Sequence, residues 1–316
     1  MKLPQLRIGH LLPKFPIIQG GMAVRVSTAT LAGAVAKTGG IGVIGATGMS
    51  LEELRDEIRQ ARILANGGIV GVNIMYAARQ FADLVHAAIS EKIDVIFSGA
   101  GFSKDIFRWG KEANTPIVSI VSSAKAARLA EKCGADAVVA ESGEAGGHLG
   151  TLKTLKEILP EIVKAVKIPV IAAGGLVNGY DMAEAIKMGA SGVQMASRFV
   201  LSEECTVSPA FKQTYLNSQA DDSIIIKSPV GFPGRALKNP FSNLIQQGEA
   251  PEVDSCNACL KECSGDFCIM QALINAREGR VNEGLVFAGI NAHKIKEILP
   301  VSEIFQRILK EFAEAD

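Results

Sequence analysis

The feature that most constrains this chain is a cadence repeated along its first 200 residues. A short β-branched apolar run is followed by a glycine-rich or polar turn, then by a stretch with helical amphipathicity. The runs are Pro16–Gly20, Ile41–Gly45, Ile69–Asn73, Ile93–Ser98, Pro116–Val121, Ala135–Ala140, Ile168–Ala173 and Gly192–Ala196. Helix-like segments between them include Thr28–Lys37, Leu51–Leu64, Ala124–Lys132, Leu152–Val166 and Asp181–Met188. Runs that are apolar on both faces, alternating with helices, are what a parallel sheet covered by helices requires. Eight such units favour an α/β fold closed into a (β/α)8 TIM barrel over an open doubly wound sheet. The 316-residue length suits one large barrel.

Beyond residue 200 the cadence breaks. Pro209–Asn217 reads as a helix, Ile224–Lys227 as a short apolar run, and Ser228 to Gly234 as a proline- and glycine-rich loop. A cysteine-rich segment follows, then helices over Ile269–Glu278 and Val301–Ala315. The expected division is a barrel over 1–205 and a C-terminal cap or lid over 206–316 packed on it.

Charge narrows the function classes. With 33 basic and 33 acidic residues the chain shows no basic stripe for nucleic acid or an anionic membrane. No apolar run approaches the roughly 20 residues that span a bilayer. Met1 to Gln5 lacks the apolar core of a secretory signal, so a cytoplasmic location is expected. A composition 48% apolar and 21% charged is that of a soluble α/β enzyme.

Active sites of such barrels lie at the C-terminal ends of the strands, so the ends of the runs carry the chemistry. The sixth run leads into Glu141-Ser142-Gly143-Glu144-Ala145-Gly146-Gly147-His148-Leu149-Gly150. A histidine held in a glycine-rich turn past a strand end is placed as an acid, a base or a polarising group. The plainer alternative is a loop histidine that caps a helix or faces solvent. The seventh run ends at Gly174 and Gly175, and the eighth at Ala196 and Ser197 with the cation Arg198 next to them. Their backbone N–H groups and the Ser197 hydroxyl suit a phosphate, which barrels bind at these last two loops. Gly20, Gly21 and Met22 after the first run would let a flat ring lie against the backbone. Asn73 and Ser98 offer hydrogen bonds to ring edges, or else satisfy loop backbone.

Gly40-Ile41-Gly42-Val43-Ile44-Gly45 spells a dinucleotide fingerprint, but its residues are the second strand itself and open no helix. Cys256-x2-Cys259-x3-Cys263-x4-Cys268 has spacing able to wrap zinc or an iron–sulfur cluster, with reduced thiols in a mobile cap as the alternative. His86 reads as a helix-packing residue, His10 and His293 have no partner in view, and Asp94 reads as structural.

Ile18-Gln19-Gly20-Gly21-Met22, Gly71-Val72-Asn73-Ile74, the Glu141 to Gly150 segment, Ala172-Ala173-Gly174-Gly175 and Gln194-x2-Ser197-Arg198-Phe199 resemble the FMN-dependent nitronate monooxygenase family. That family was formerly called 2-nitropropane dioxygenase, and it includes the flavin-type enoyl-acyl-carrier-protein reductases. Gly284 to Gly289 is similar to a further family segment. The resemblance implies FMN with its phosphate at Gly174, Gly175, Ala196 and Ser197. It implies Met22, Asn73, Glu141 and Gln194 as neighbours of the ring or ribityl chain, and His148 as the catalytic histidine. The family often has Gly-Thr where this chain has Ala196-Ser197, and the cysteine cluster is not part of the common pattern.

The implied function is oxidation of nitronates or nitroalkanes with dioxygen, His148 abstracting a proton or holding the anion. The alternative is an enoyl-thioester reductase using FMN and NAD(P)H. A non-enzymatic phosphate-ligand or metal sensor is the remaining reading. Expected partners are a small-molecule substrate, a second copy of the chain, and a redox partner or an acyl carrier protein; neither nucleic acid nor membrane is expected.

Overall fold

The computed structural model describes residues 2–253 and 255–315. In chain order its first elements are β1 (Ile17–Gln19), α1 (Ala29–Thr38), β2 (Ile41–Gly45), α2 (Leu51–Ala65), β3 (Ile69–Met75), α3 (Phe81–Ser90), β4 (Val95–Gly99) and α4 (Asp105–Ala113). Next come β5 (Ile117–Val121), α5 (Ala124–Cys133), β6 (Ala137–Glu141), β7 (Gly147–His148), α6 (Leu155–Ala165), β8 (Val170–Ala173), α7 (Gly179–Lys187) and β9 (Gly192–Met195). The remainder is α8 (Ser197–Val200), α9 (Pro209–Asn217), β10 (Ser223–Lys227), β11 (Pro233–Leu237), α10 (Pro240–Gln247), α11 (Ile269–Arg277) and α12 (Val301–Glu314).

β1 to β6, β8 and β9 form a closed barrel, all parallel. β9 returns onto β1, pairing Ile18 with Gln194, while Ile18 pairs on its other side with Ile41. Each apolar run of the sequence supplies one barrel strand, and the fold is a (β/α)8 barrel. Local signals set the helix limits. Ser50 accepts from the Glu53 N–H in a capping box that starts α2, and Gly134 at φ +100° ends α5 in the left-handed conformation. At Gly42 a Cβ would stand 1.8 Å from the Ala32 carbonyl oxygen, so α1 rests directly on β2.

The barrel interior is filled by Ile18, Ile41, Val43, Val95, Phe97, Val118, Val139 and Ile171, all fully buried. Leu6 and Ile8 join that core, and the neighbouring Gly9 packs against Pro116 and Asp136 at strand starts. The N-terminal segment thus stoppers the lower mouth of the barrel. Asp94 and Asp136 also lie at this lower end, where they accept from the Val70 and Ile117 N–H groups at 2.8 and 2.9 Å. His86 packs its ring on Trp109, centroids 4.5 Å apart.

Residues past 200 occupy two places. β10 and β11 form a hairpin whose second strand pairs with β7 across the upper mouth, Gly234 opposite His148. The segment read as a loop to Gly234 therefore ends at Phe232. Pro233 opens β11, a position where a missing N–H is tolerated. Around this hairpin Ile226, Phe241, Leu260, Phe267 and Leu285 form a small core of their own. α12 instead lies among the barrel helices. Its Phe305 and Ile308 belong to the main core, and Gly179 of α7 meets the Ile308 carbonyl. No described helix is long and apolar enough to cross a membrane.

Candidate active site

A cavity of about 230 Å³ opens at the upper mouth. The ends of β1, β3 and β9 contribute Gly20, Gly21, Met22, Asn73, Gln194, Ala196 and Ser197 to its wall. Glu141 at the end of β6 and His148 on β7 face the same space. A smaller cavity of about 50 Å³ adjoins it, lined by Gly174, Gly175, Ser197, Gly289 and Asn291, with Glu141 and Gln194 at the junction. Residues scattered from 20 to 291 thus meet because parallel strands all end on one rim.

The smaller cavity is built for an anion. Gly174 and Gly175 both take positive φ, +102° and +76°, a backbone turn that can present successive N–H groups to an anion. The Asn291 amide fixes that turn by donating to the Gly175 carbonyl at 2.7 Å. Ser197 Oγ accepts from the Gly289 N–H at 3.0 Å, which leaves its own hydroxyl proton to donate. At the junction Gln194 Oε1 is buried without a hydrogen-bond partner. A buried acceptor left alone costs free energy, so its position calls for a donor from a ligand. A phosphate at one end and a ring carrying N–H donors at the other fit this pair of cavities, as FMN requires.

Two expected residues stand elsewhere. Ser98 does not line either cavity: its hydroxyl donates to the Ile74 carbonyl at 3.1 Å, and Gly99 and Ala100 take the wall position instead. Arg198 turns away from the phosphate cradle and donates to the carbonyls of Leu201 and Glu297 at 2.7 and 2.8 Å. Burial lowers its pKa to about 10.

His148 sits on a strand rather than in a free turn. Its Nε2 is 2.8 Å from Ser228 Oγ, and its ring meets Phe287 edge-on with centroids 5.2 Å apart. Arg235 of the hairpin donates from Nε and Nη2 to the Gly143 carbonyl, at 2.9 and 2.7 Å, which ties the preceding loop to the cap. Burial pulls the His148 pKa down to about 4, so the imidazole is neutral at pH 7. Burial pushes Glu141 the other way, up to about 7, so this carboxyl is protonated in a large fraction of molecules at neutrality.

These opposite shifts set a pH dependence of stability. Glu141 keeps a proton in the native chain that the unfolded chain releases above about 4.5, so its contribution falls as pH rises to about 7. His148 does the reverse: its contribution is present above about 6.5 and is lost as pH falls through about 4. In the overlap the two oppose each other. Glu141→Gln removes only the first, so its melting point relative to the parent rises between pH 5 and pH 7. The effect is on the order of 1 kcal/mol per pH unit. Equal differences at both pH values, read by thermal unfolding, contradict the shifted carboxyl.

Among the described residues no three His, Cys, Asp or Glu side chains stand together as placed in an arrangement that holds a metal ion. The four clustered cysteines are free thiols. Cys256 and Cys263 are exposed, and Cys259 alone of the four reaches the wall of the larger cavity. Burial raises the Cys259 thiol, and Cys268, Cys263 and Cys256 add smaller like-charge effects in the same direction.

Sequence reasoning missed Ser228, Asn291 and Thr47, the last of which lines the larger cavity and accepts from the Met75 N–H at 3.1 Å. Ser228 and Asn291 lie 80 and 116 residues from their hydrogen-bond partners, with no motif linking them. Gly289 had a signal, the similarity of Gly284 to Gly289 to a family segment.

The family model described as nitronate monooxygenase matches residues 5–95 and 81–311. Over 236 residues the chain is 34% identical to a 5-hydroxy-7a-methyl-1-oxo-octahydro-1H-indene-4-carboxyl-CoA dehydrogenase of Mycobacterium tuberculosis, covering 74% of this chain and 66% of that protein. The chain therefore spans just under two thirds of that relative's length. It is 30% identical to a probable nitronate monooxygenase of Staphylococcus aureus, covering 76% of this chain and 80% of the relative. Among solved structures, FabK from Thermotoga maritima superposes with a TM-score of 0.87 at 38% identity, covering 96% of this chain and 94% of that one. A nitroalkane oxidase from Streptomyces ansochromogenes gives 0.82 at 24% identity, covering 96% and 97%, and shares the fold.

Proposed function

Because the chain belongs to the nitronate monooxygenase family, we propose that it is an FMN-dependent oxidoreductase that oxidises nitronates with dioxygen at the upper mouth of its barrel. The observation that carries the reading is the unpartnered Gln194 Oε1 at the junction of the two cavities. Gly174, Gly175, Ala196 and Ser197 would hold the phosphate, and Gln194, Asn73, Met22 and Glu141 the ring and its side chain. When bound, FMN supplies the electron chemistry, taking electrons from the substrate and returning them to dioxygen.

The protein's part is placement and charge. A neutral imidazole with a pKa of about 4 is a poor base for a carbon acid, whose deprotonation wants a base near the working pH. The same imidazole is a good N–H donor to an anion that arrives already formed. The role of proton abstraction from a nitroalkane therefore gives way to holding the nitronate. Ser228 fixes the ring through Nε2, and Phe287 packs edge-on against it. Glu141 lines the same cavity, and its raised pKa of about 7 lessens the negative charge that an arriving anion would meet.

One observation favours a second reading. The cap faces the cavity with Val230, Leu260, Ile269, Met270 and Leu273, an apolar wall larger than a small nitronate needs. Such a wall suits the acyl chain of an enoyl thioester reduced with NAD(P)H, delivered by an acyl carrier protein or coenzyme A. Anaerobic mixing of the FMN-loaded protein separates the two. Rapid bleaching of flavin absorbance by propane-2-nitronate, with slow bleaching by NADH and NADPH, supports nitronate oxidation. Rapid bleaching by a nicotinamide alone, followed by reoxidation with an enoyl thioester, replaces it with the reductase.

A further inference from the structure

The cap carries four thiols that the proposed reaction leaves unused. Cys256, Cys259, Cys263 and Cys268 fall within thirteen residues, with gaps of two, three and four. Each gap lies in the range by which one short segment wraps a four-sulfur centre.

The backbone around them donates to sulfur. The Ala258 N–H points back at Cys256 Sγ, 3.3 Å away, forming a tight knuckle across the first Cys-x2-Cys pair. Ala258 makes that turn at φ +48°, a left-handed conformation uncommon for alanine. Cys268 caps the start of α11, its Sγ accepting from the Gln271 N–H at 3.5 Å. The Asn257 amide, from inside the first knuckle, donates to that same sulfur at 3.6 Å. The first pair and the last cysteine are thereby joined in one cluster. Three N–H donors are thus aimed at two of the four sulfurs, the backbone and amide contacts that a cysteine knuckle makes to its sulfurs.

The segment is also anchored. Arg79 N–H donates to the Cys259 carbonyl at 3.0 Å, Lys261 N–H to the Ala77 carbonyl at 2.9 Å, and Leu260 and Phe267 are buried. The sulfurs are not convergent as placed. Cys256 and Cys263 are exposed, which leaves their side chains room to turn toward the other two.

We propose that Cys256, Cys259, Cys263 and Cys268 form a four-thiolate centre for a soft metal, a single zinc or an iron–sulfur cluster, at the edge of the barrel mouth. The inference stands apart from the FMN reading. Binding draws the two exposed thiols onto the anchored pair and releases their protons.

The test is metal and labile-sulfide analysis of the full chain, purified anaerobically and again after anaerobic reconstitution with Zn²⁺ or with iron and sulfide. The parent is compared with Cys256→Ala and Cys263→Ala, exposed positions whose folding is checked by melting. The expected result is about one zinc, or about four irons with matching sulfide, per chain, falling at least about fivefold in both variants. Zinc leaves the visible spectrum unchanged, whereas a cluster adds broad absorbance. Less than about half an equivalent of either centre in the parent, or metal retained in both folded variants, overturns the proposal.

Discussion

Replacing His148 with alanine is expected to lower kcat/KM for a nitronate by about a hundredfold to a thousandfold, with FMN content unchanged. The size is that of removing one preorganised donor from a developing or bound anion in a site shielded from water. His148 lines the larger cavity and not the smaller one, so the phosphate cradle survives the change. The companion variant His148→Asn separates two roles for the ring. Asparagine keeps an N–H donor but has no basic nitrogen, so holding the anion predicts partial recovery over alanine. Proton abstraction predicts instead that both variants fail equally on the neutral nitroalkane and are spared on the preformed nitronate. Oxygen-uptake kinetics with the preformed nitronate and with the neutral nitroalkane, together with flavin absorbance at a known protein concentration, read both outcomes. Unchanged turnover of both substrates in the alanine variant removes His148 from the site chemistry.

Gly174→Val is expected to weaken FMN binding by about a hundredfold or more while the barrel still folds. Gly174 holds φ +102°, a conformation that a β-branched residue resists strongly. Its Cβ would also stand 2.3 Å from the buried Ser142 hydroxyl oxygen. Strain of roughly 1–2 kcal/mol and overpacking of roughly 1–3 kcal/mol are both relieved if the loop swings out. That motion carries the Gly174 and Gly175 N–H groups away from the phosphate. A penalty of about 2.8 kcal/mol is a hundredfold in affinity. The position follows β8 and lies outside it, so the strand register is untouched. Quenching of flavin fluorescence on titrating FMN into apoprotein measures the change. An unaltered dissociation constant in a folded variant places the phosphate elsewhere.

The barrel could be read from the sequence because its information is local. Each β-branched run is a strand, and residues such as Ser50, Ser123 and Gly134 mark helix ends by chemistry within one turn. The rim glycines were legible for the same reason, since Gly174 and Gly175 sit directly after a strand. What depends on long-range packing was not. Whether Ser98 faces a ligand or the Ile74 carbonyl is decided by a neighbouring strand. Arg198 adjoins the cradle in sequence, yet the carbonyls of Leu201 and Glu297 draw it the other way. The burial that lowers the His148 pKa comes from long-range packing, with β11 paired to its strand and Phe287 against its ring, and Ser228 is its distant hydrogen-bond partner. No residue near position 148 announces them. α12 was visible as a helix, but its place among the barrel helices follows from Phe305 and Ile308 reaching a core built by residues far earlier in the chain.

The account rests on two adjoining cavities that take one mononucleotide beside a neutral histidine. A crystal structure of the protein grown with FMN tests this most directly. The predicted density has the phosphate between Gly174–Gly175 and Ala196–Ser197, a ring donor on Gln194 Oε1, and His148 facing the ring from the cap side. Density that places the phosphate at another pair of loops, or leaves Gln194 Oε1 and His148 without the ligand while FMN binds elsewhere, contradicts it.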